Sequence, residues 1–133
     1  MSRASDPILF ICNAGPSELL AVIALKAREK IVARNSALAA ENLALLSRFF
    51  ADYPDLFDWY LPDGGVVGFP RYKGKDGVEA FTQSLLEQAG VVLLPASVYR
   101  SELLEAPKDR FRIGFGRFGM AEALAVFRDF LRN

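Results

Sequence analysis

The chain of 133 residues contains no histidine and a single cysteine, Cys12. Histidine is the commonest general base and the commonest metal ligand in proteins, so its absence removes both roles together. One cysteine excludes an internal disulfide and a thiolate metal cluster. Because Cys12 follows the apolar residues 8–11 and has no histidine partner, we interpret it as a small buried hydrophobic side chain rather than a nucleophile.

An excess of charge of either sign is also missing, since 16 Lys and Arg residues balance 16 Asp and Glu residues. Proteins that bind a phosphate backbone usually carry an excess of Lys and Arg. Nucleic acid is therefore not an expected partner, and neither is an anionic membrane surface. No apolar run reaches membrane-spanning length. Asp6 and Pro7 stand before the short apolar run, so the first residues do not resemble a signal peptide. A soluble cytoplasmic protein is expected.

The residues that are present predict one globular domain with a real core. Hydrophobic residues make up 52% of the chain and charged residues 24%, and a chain of this length buries roughly two thirds of its unfolded surface. Residues 8–12 are compatible with a short strand or with an apolar tail. From Ser17 the pattern is helical and apolar on most of its circumference, which predicts a helix buried nearly all round. A long amphipathic helix is predicted over residues 29–51.

The second half alternates strand and helix patterns. Strands are predicted over residues 56–61 and 66–72, joined by a turn at 62–65, and Pro70 indicates that the second strand lies at an edge or ends there. A helix follows, with Asp76 and Glu79 as its capping box and Gly90 as its end. The apolar residues 91–94 predict a central strand. An irregular segment, a strand at 109–117 and a helix from Gly119 complete the chain. The predicted fold class is α/β (α+β), a small mixed or antiparallel sheet with helices on one face, preceded by a long helix.

Residues 109–117 carry the strongest indication of a binding site. In a strand, Phe111, Ile113 and Phe115 point to one face, and Arg112 points to the other, together with Gly114 and Gly116. Two glycines beside one arginine indicate that something approaches the backbone closely, and a planar carboxylate matches the donor fork of an arginine. The alternative is a solvated arginine on the open side of a sheet.

Catalytic chemistry is not apparent in the sequence. We find no nucleophile elbow, no metal-ligand spacing and no phosphate-binding glycine loop, because Gly64 and Gly65 are better explained as turn residues. The acidic residues fall at helix starts, on polar helix faces or in loops, and the five lysines fall at helix ends or in loops. The residues alone therefore predict a binding half-site around Arg112, with no catalytic residue and no metal site.

Three blocks of sequence, GGVVGF at 64–69, GVVLLPASVY at 90–99 and FRIGFG at 111–116, resemble successive blocks of the class I/II (fold-type I) pyridoxal-phosphate-dependent aminotransferases. The helical stretches 16–35 and 42–50 are also similar to the end of that family's large domain and to its interdomain helix. The resemblance implies that residues 1–28 are a tail and a buried helix from the end of a missing large domain. It implies that residues 29–133 are the C-terminal small domain.

The same resemblance implies the roles of particular residues. Arg112 would hold the α-carboxylate of an amino acid or 2-oxo acid substrate, Gly65 would lie beside the substrate, and Arg71 is a possible contact for a second carboxylate, although a surface role is the alternative for Arg71. The family's cofactor is pyridoxal phosphate, but its imine-forming lysine belongs to a block that this chain does not contain. We therefore expect no covalently bound cofactor and no transamination by this chain alone, and, as in the family, a homodimer.

A second hypothesis comes from a different class of function. Under this hypothesis the chain is an independent and non-catalytic α/β interaction module, which dimerises through the apolar helix at 19–25. The sequence does not identify the amino-acid substrate under the first hypothesis.

Overall fold

In the computed structural model, residues 14–103 and 105–132 are described. The chain divides into two compact units, Met1–Arg34 and Asn35–Asn133. The predicted domain boundary after residue 28 stays a prediction. The interpretation of Cys12, and the choice between strand and tail at residues 8–12, concern residues outside the described ranges.

The first unit contains helix α1, Gly15–Lys26. Pro16 lies in its first turn, where the missing N–H costs nothing. The prediction that this helix is buried nearly all round is wrong for the described chain, because none of its residues is buried. Leu19 is 62% exposed and Ile23 is 53% exposed. Apolar periodicity indicates that a helix needs covering, but it does not say whether the same chain provides the cover.

Helix α2, Arg28–Ala51, agrees with the predicted long amphipathic helix. Leu46, Phe49 and Phe50 are buried on one side of it, and Glu41 and Arg48 are exposed on the other. Its residues from Asn35 onward belong to the second unit. A polar residue, Asn42, is also buried on the apolar side.

The predicted hairpin forms only in part, because its two strands pair only at their outer ends and the return strand is broken. Strand β1, Phe57–Asp58, pairs antiparallel with β3, Arg71–Tyr72. Strand β2, Val67–Gly68, lies earlier in the return segment and pairs instead with a different strand. The buried Pro70 separates the two, and a proline has no N–H with which to continue a ladder.

The second sheet is built around the Arg112 strand. Strand β5, Phe111–Gly114, lies between β2 and β4, Leu94–Pro95, in the order β2-β5-β4, and both pairings are antiparallel. The prediction that the apolar residues 91–94 form the central strand is therefore wrong, since β4 lies at an edge of this sheet and β5 is central. A 3-10 helix, Ala96–Tyr99, follows β4 directly.

Two further helices cover one side. Helix α3, Gly77–Ala89, buries Val78, Phe81, Thr82 and Leu85, whereas Leu86 is 43% exposed. Helix α4, Met120–Arg132, buries Leu124 and Phe127.

The predicted caps of α3 have different outcomes. Gly90 ends the helix in the left-handed region at φ 66°, and its N–H donates to the carbonyl of Leu86, as a glycine C-cap does. The predicted capping box is wrong, because the Asp76 side chain makes no cap hydrogen bond. It accepts a hydrogen bond from the hydroxyl of Tyr72 at 2.8 Å instead.

The core of the second unit is aromatic. The rings of Phe50 and Trp59 stack at 4.8 Å, and those of Tyr72 and Phe81 at 4.1 Å. Pairs of this kind contribute about 0.5–1.5 kcal/mol beyond their burial. The α+β class with small antiparallel sheets and helices on one face is as predicted. Among the described residues, no helix combines the length and apolar content of a membrane span.

Candidate functional site

Strand β5 presents two chemically different faces. Phe111, Ile113 and Phe115 are 0%, 7% and 2% exposed, so one face is fixed in the core. Arg112 and Gly114 alternate with them and are exposed. The ladders on both sides and the buried phenylalanines hold the backbone of the strand, so the base of the Arg112 side chain is rigid.

The guanidinium of Arg112 contacts a tyrosine rather than an acid. Its Nη1 donates a hydrogen bond to the Tyr99 hydroxyl at 3.0 Å, and its Cζ lies 5.9 Å from the centre of the Tyr99 ring. Among the described residues, no carboxylate forms an ion pair with Arg112. The remaining N–H groups of the fork therefore face solvent, where an anion can reach them.

The glycines beside Arg112 have different roles. A methyl group placed on Gly114 would have only the carbonyl oxygen of Val66 within contact range, at 3.9 Å, so the surface above Gly114 is open. A methyl group on Gly116 would lie 3.0 Å from Cβ of Val66. The small residue at 116 is thus explained by packing within the chain.

The other two predicted site residues, Arg71 and Gly65, are explained by contacts and backbone geometry of their own. Arg71 is engaged by carboxylates of its own chain, with Nε 2.6 Å from Asp109 and Nη1 3.8 Å from Asp58. Gly65 has φ +77°, and a methyl group added to it would have nothing within 4 Å, so its identity is required by the turn. Arg112, Gly65 and Arg71 stay predictions as binding residues, and only Arg112 has its charged group available.

Sequence reasoning missed Asn42, which holds the end of β5. The side chain is 4% exposed, and its amide donates to the carbonyls of Phe115 at 2.9 Å and Arg117 at 2.7 Å. The sequence does contain a signal for this role. Asn42 lies four positions after Leu38 and three before Leu45, so it falls within the apolar stripe of α2. A buried amide needs partners, and these two carbonyls provide them.

Tyr99 was also missed as a candidate. It ends the 3-10 helix, and its ring makes an edge contact with Phe69, with centroids 6.1 Å apart. The N–H of Ala96 donates to the carbonyl of Arg110 at 2.8 Å, which ties the start of this helix to the β5 segment. No sequence pattern predicts that a residue thirteen positions before Arg112 returns to it, since the return depends on the 3-10 turn.

Among the described residues, shifted pKa values belong to Tyr72 and to the pair of Glu105 and Lys108. Burial raises the pKa of the Tyr72 hydroxyl well above its ordinary value, and the hydrogen bond to Asp76 and the charge of that carboxylate add to the shift. The exposed Lys108 has a raised pKa because it bonds to Glu105, whose pKa is lowered in return. Lys73 is 2.9 Å from Asp58. Within the described ranges, no group of acidic or cysteine side chains is arranged to hold a metal ion.

A separate cleft of about 530 Å³ lies beside the loop that follows the 3-10 helix. Glu79, Ser97, Arg100 and Lys108 contribute to its walls. Arg112 is not among the residues that line it. The arginine therefore stands on an open surface outside this cleft.

No protein-family model matches the chain. A curated relative, capreomycidine synthase from Streptomyces vinaceus, is 28% identical over 98 residues, which is 74% of this chain and 24% of that protein. A pyridoxal-phosphate-dependent aminotransferase from Streptococcus suis superimposes with a TM-score of 0.78 and 26% identity, covering 91% of this chain and 31% of the other.

Two further solved structures are similar. The pyridoxal-phosphate-dependent cyclase OrfR gives a TM-score of 0.75 and 27% identity over 96% of this chain and 34% of its own. Aspartate aminotransferase from Thermotoga maritima, at a TM-score of 0.56 and 23% identity, supports the fold alone. The chain spans about a quarter to a third of the length of these relatives. In sequence and fold, the chain corresponds to the C-terminal portion of the fold-type I pyridoxal-phosphate-dependent aminotransferases and related enzymes.

Proposed function

We propose that the chain acts as the C-terminal part of a pyridoxal-phosphate-dependent amino acid aminotransferase. In this proposal, Arg112 binds the α-carboxylate of the amino acid or 2-oxo acid substrate. The observation that carries the proposal is the exposed guanidinium on a rigid central strand, without an ion-pair partner among the described carboxylates. The similarity to enzymes of that family adds to it.

The chemistry of the arginine suits this role. A guanidinium binds both oxygens of a carboxylate through parallel N–H donors, and such charged hydrogen bonds contribute about 1.5–3 kcal/mol each where water is excluded. On an open surface an ion pair contributes only about 0–1 kcal/mol. Tight substrate binding therefore requires a second polypeptide segment that closes over Arg112. Gly65 would lie near the substrate in the closed site, and Arg71 would reach a second carboxylate only after leaving Asp109.

The described residues do not fit a self-sufficient cofactor site. Pyridoxal phosphate is bound through a lysine imine, an acid at the ring nitrogen and donors to the phosphate. Lys73 and Lys108 are held by Asp58 and Glu105, and no lysine contacts Arg112 in the described part of the chain. The proposal therefore assigns the cofactor to a polypeptide segment other than this one, and predicts that this chain alone is inactive. A cytoplasmic homodimer belongs to the same proposal.

The carboxylate site is testable by NMR on the chain itself. Titration with succinate should shift the guanidinium resonances of Arg112 saturably, with an affinity in the millimolar range because one wall is open. The diamide of succinate, which has the same shape and no charge, should produce no such shift. Arg112→Gln should abolish the response, and the matched change Arg117→Gln, at the exposed arginine after β5, should preserve it. If Arg117→Gln and Arg112→Gln have equal effects, the binding is unspecific and the anchor role is wrong.

The absence of an imine lysine is tested separately. The chain is incubated with pyridoxal phosphate and then with borohydride, and the lysine adducts are located by mass spectrometry. We expect scattered labelling well below one adduct per chain. A stoichiometric adduct at a single lysine would contradict the proposal.

The exposed helix α1 favours a second candidate, a non-catalytic interaction module. Five large apolar side chains of this 12-residue helix are 47–68% exposed: Leu19, Leu20, Val22, Ile23 and Leu25. A contiguous apolar surface of this kind indicates an interface. Under the first proposal another part of a larger enzyme covers this surface, and under the second a further copy of the chain does.

Sedimentation equilibrium separates the two candidates when it is combined with the succinate titration. Under the second candidate we expect a dimer that dissociates in the double variant Leu19→Glu, Ile23→Glu but not in the control Glu18→Gln. We also expect the Arg112 resonances not to shift when succinate is added. A succinate response at Arg112 favours the first candidate, whatever the oligomeric state.

A further inference from the structure

We propose that Tyr99 is a second ligand-binding residue, whose hydroxyl donates to the same carboxylate that Arg112 binds. This inference rests on the proposed function and deepens it, since it adds a specificity-determining residue to the site.

The hydrogen bond between the two side chains has a fixed direction. A guanidinium is a donor only, so the Tyr99 hydroxyl accepts the bond from Nη1 of Arg112 at 3.0 Å. One lone pair of the hydroxyl oxygen is then occupied, and the O–H proton has to point elsewhere. The described residues contain no acceptor bonded to that proton. The site thus presents an unused O–H donor next to the unused donors of the guanidinium.

The tyrosine ring is held where it lies. Phe69 contacts it edge-on, with an interplanar angle of 63°, and the 3-10 helix that carries Tyr99 is tied to the β5 segment through Ala96. The β4–β5 register places Leu94 opposite Arg112, so the chain that leads to Tyr99 starts beside the arginine. A side chain positioned in this way loses little conformational freedom when it binds a ligand.

The ligand class follows from the donors. A carboxylate has two oxygens, each with acceptor capacity beyond one guanidinium N–H. The fork of Arg112 takes both oxygens, and the Tyr99 O–H adds a third bond to the oxygen nearer to Nη1. Gly114 leaves open the surface on which the rest of the ligand would lie. A ligand without a negative charge gains much less, since hydrogen bonds to a charged group are about twice as strong.

The experiment compares wild type with Tyr99→Phe in the succinate titration followed at Arg112. We expect the variant to bind about three- to tenfold more weakly, the effect of one hydrogen bond. The resonances of the Tyr99 ring should shift in step with those of Arg112 in wild type. Tyr60→Phe removes the hydroxyl of another exposed tyrosine and should leave the affinity unchanged.

A second variant separates donation to the ligand from mere support of Arg112. Fluorotyrosine placed at position 99 is a stronger hydrogen-bond donor and a weaker acceptor than tyrosine. At a pH where its hydroxyl stays protonated, it should bind succinate more tightly than wild type if Tyr99 donates to the carboxylate. Weaker binding would mean that Tyr99 acts only by accepting from Arg112, and it would overturn the inference.

The outcomes distinguish the two levels of the proposal. Equal affinity of wild type and Tyr99→Phe, with a response at Arg112, overturns the role of Tyr99 and leaves the arginine anchor standing. No saturable response at Arg112 in any of the proteins overturns the anchor itself, and with it the role of Tyr99.

Discussion

At the scale of single residues, partners decide what each polar side chain does. Arg71 and Arg112 have the same functional group, but Arg71 is paired with Asp109 at 2.6 Å and Arg112 with a neutral hydroxyl. Alternation along the sequence predicts Arg112 on the open face of a strand, and the structure agrees with that placement. The Tyr99 contact could not be predicted, because it joins residues through a turn that has no periodic signal.

Asn42 gives the clearest prediction at this scale. In Asn42→Ala, the carbonyls of Phe115 and Arg117 lose their donor, and we expect the free energy of unfolding to fall by about 1–3 kcal/mol, the effect of one buried and one partly buried hydrogen bond. Urea denaturation followed by circular dichroism measures the change. The neighbouring exposed substitution Glu41→Gln should stay within about 0.5 kcal/mol.

Hydrogen exchange checks the structural cause of that loss. The N–H of Phe115 donates to the carbonyl of Val66 at 2.8 Å, and it should exchange faster in Asn42→Ala because the end of β5 is less firmly held. An Asn42→Ala variant as stable as wild type would mean that water replaces the amide without cost.

At the scale of elements, close packing contacts and strand breaks shape the sheets in ways that the periodicity of the sequence does not predict. Turn and strand patterns predict the hairpin, and Pro70 predicts that the return strand lies at an edge or ends there. The actual consequence of Pro70 is that one predicted strand becomes two, β2 and β3, which belong to different sheets. The run at 91–94 has no polar residue, which favours a central strand, but only Leu93 in it is buried and Val92 is 64% exposed.

Gly68 provides the prediction for the hairpin. A methyl group at this position would lie 2.6 Å from the ring of Trp59, and that ring is stacked on Phe50 and bonded to Ser47. Because the ring is held on both sides, Gly68→Ala should lower the free energy of unfolding by about 1–3 kcal/mol, the range for overpacking. Thermal denaturation measures this loss.

Gly64→Ala is the matched control for the hairpin. Gly64 lies in the same connection and has nothing within 4 Å of a methyl group. Its backbone is not in the left-handed region. A comparable loss in both variants would mean that the contact with Trp59 is not its cause.

At the scale of the whole molecule, composition and pattern predict the fold class and the order of the helices, and the resemblance predicts the family to which the solved relatives belong. The exposure of α1 could not be predicted, because an apolar helix carries the same pattern whether its cover lies in the same chain or in another. The capping box at Asp76 fails for a comparable reason. The hydroxyl of Tyr72, which lies outside the helix, uses the carboxylate instead.

The stability of the chain at alkaline pH follows from that tyrosine. The pKa of Tyr72 is raised in the folded state by burial, then by Asp76, so the unfolded chain loses the phenol proton first as pH rises. The stabilisation is fully present below a pH of about 10, and it is lost as pH rises toward the folded value, by at most about 1.4 kcal/mol per pH unit.

Tyr72→Phe cannot ionise, so the stability difference between it and wild type should narrow above a pH of about 10. Urea denaturation at a pH of about 8 and again at about 11 measures this difference. The free energy of unfolding of the exposed variant Tyr60→Phe should differ from that of wild type by the same amount at both pH values. A difference that widens with pH would contradict the direction of the Tyr72 shift.

The packing of Trp59 has a practical consequence. It is the only tryptophan of the chain, and it lies against Phe50 with its indole N–H bonded to Ser47. The intrinsic fluorescence of the protein therefore reports from one corner, where the end of α2 meets the first sheet. Unfolding of this region will change the tryptophan emission spectrum without any added dye. Conformational changes confined to α1 will leave the tryptophan emission unchanged.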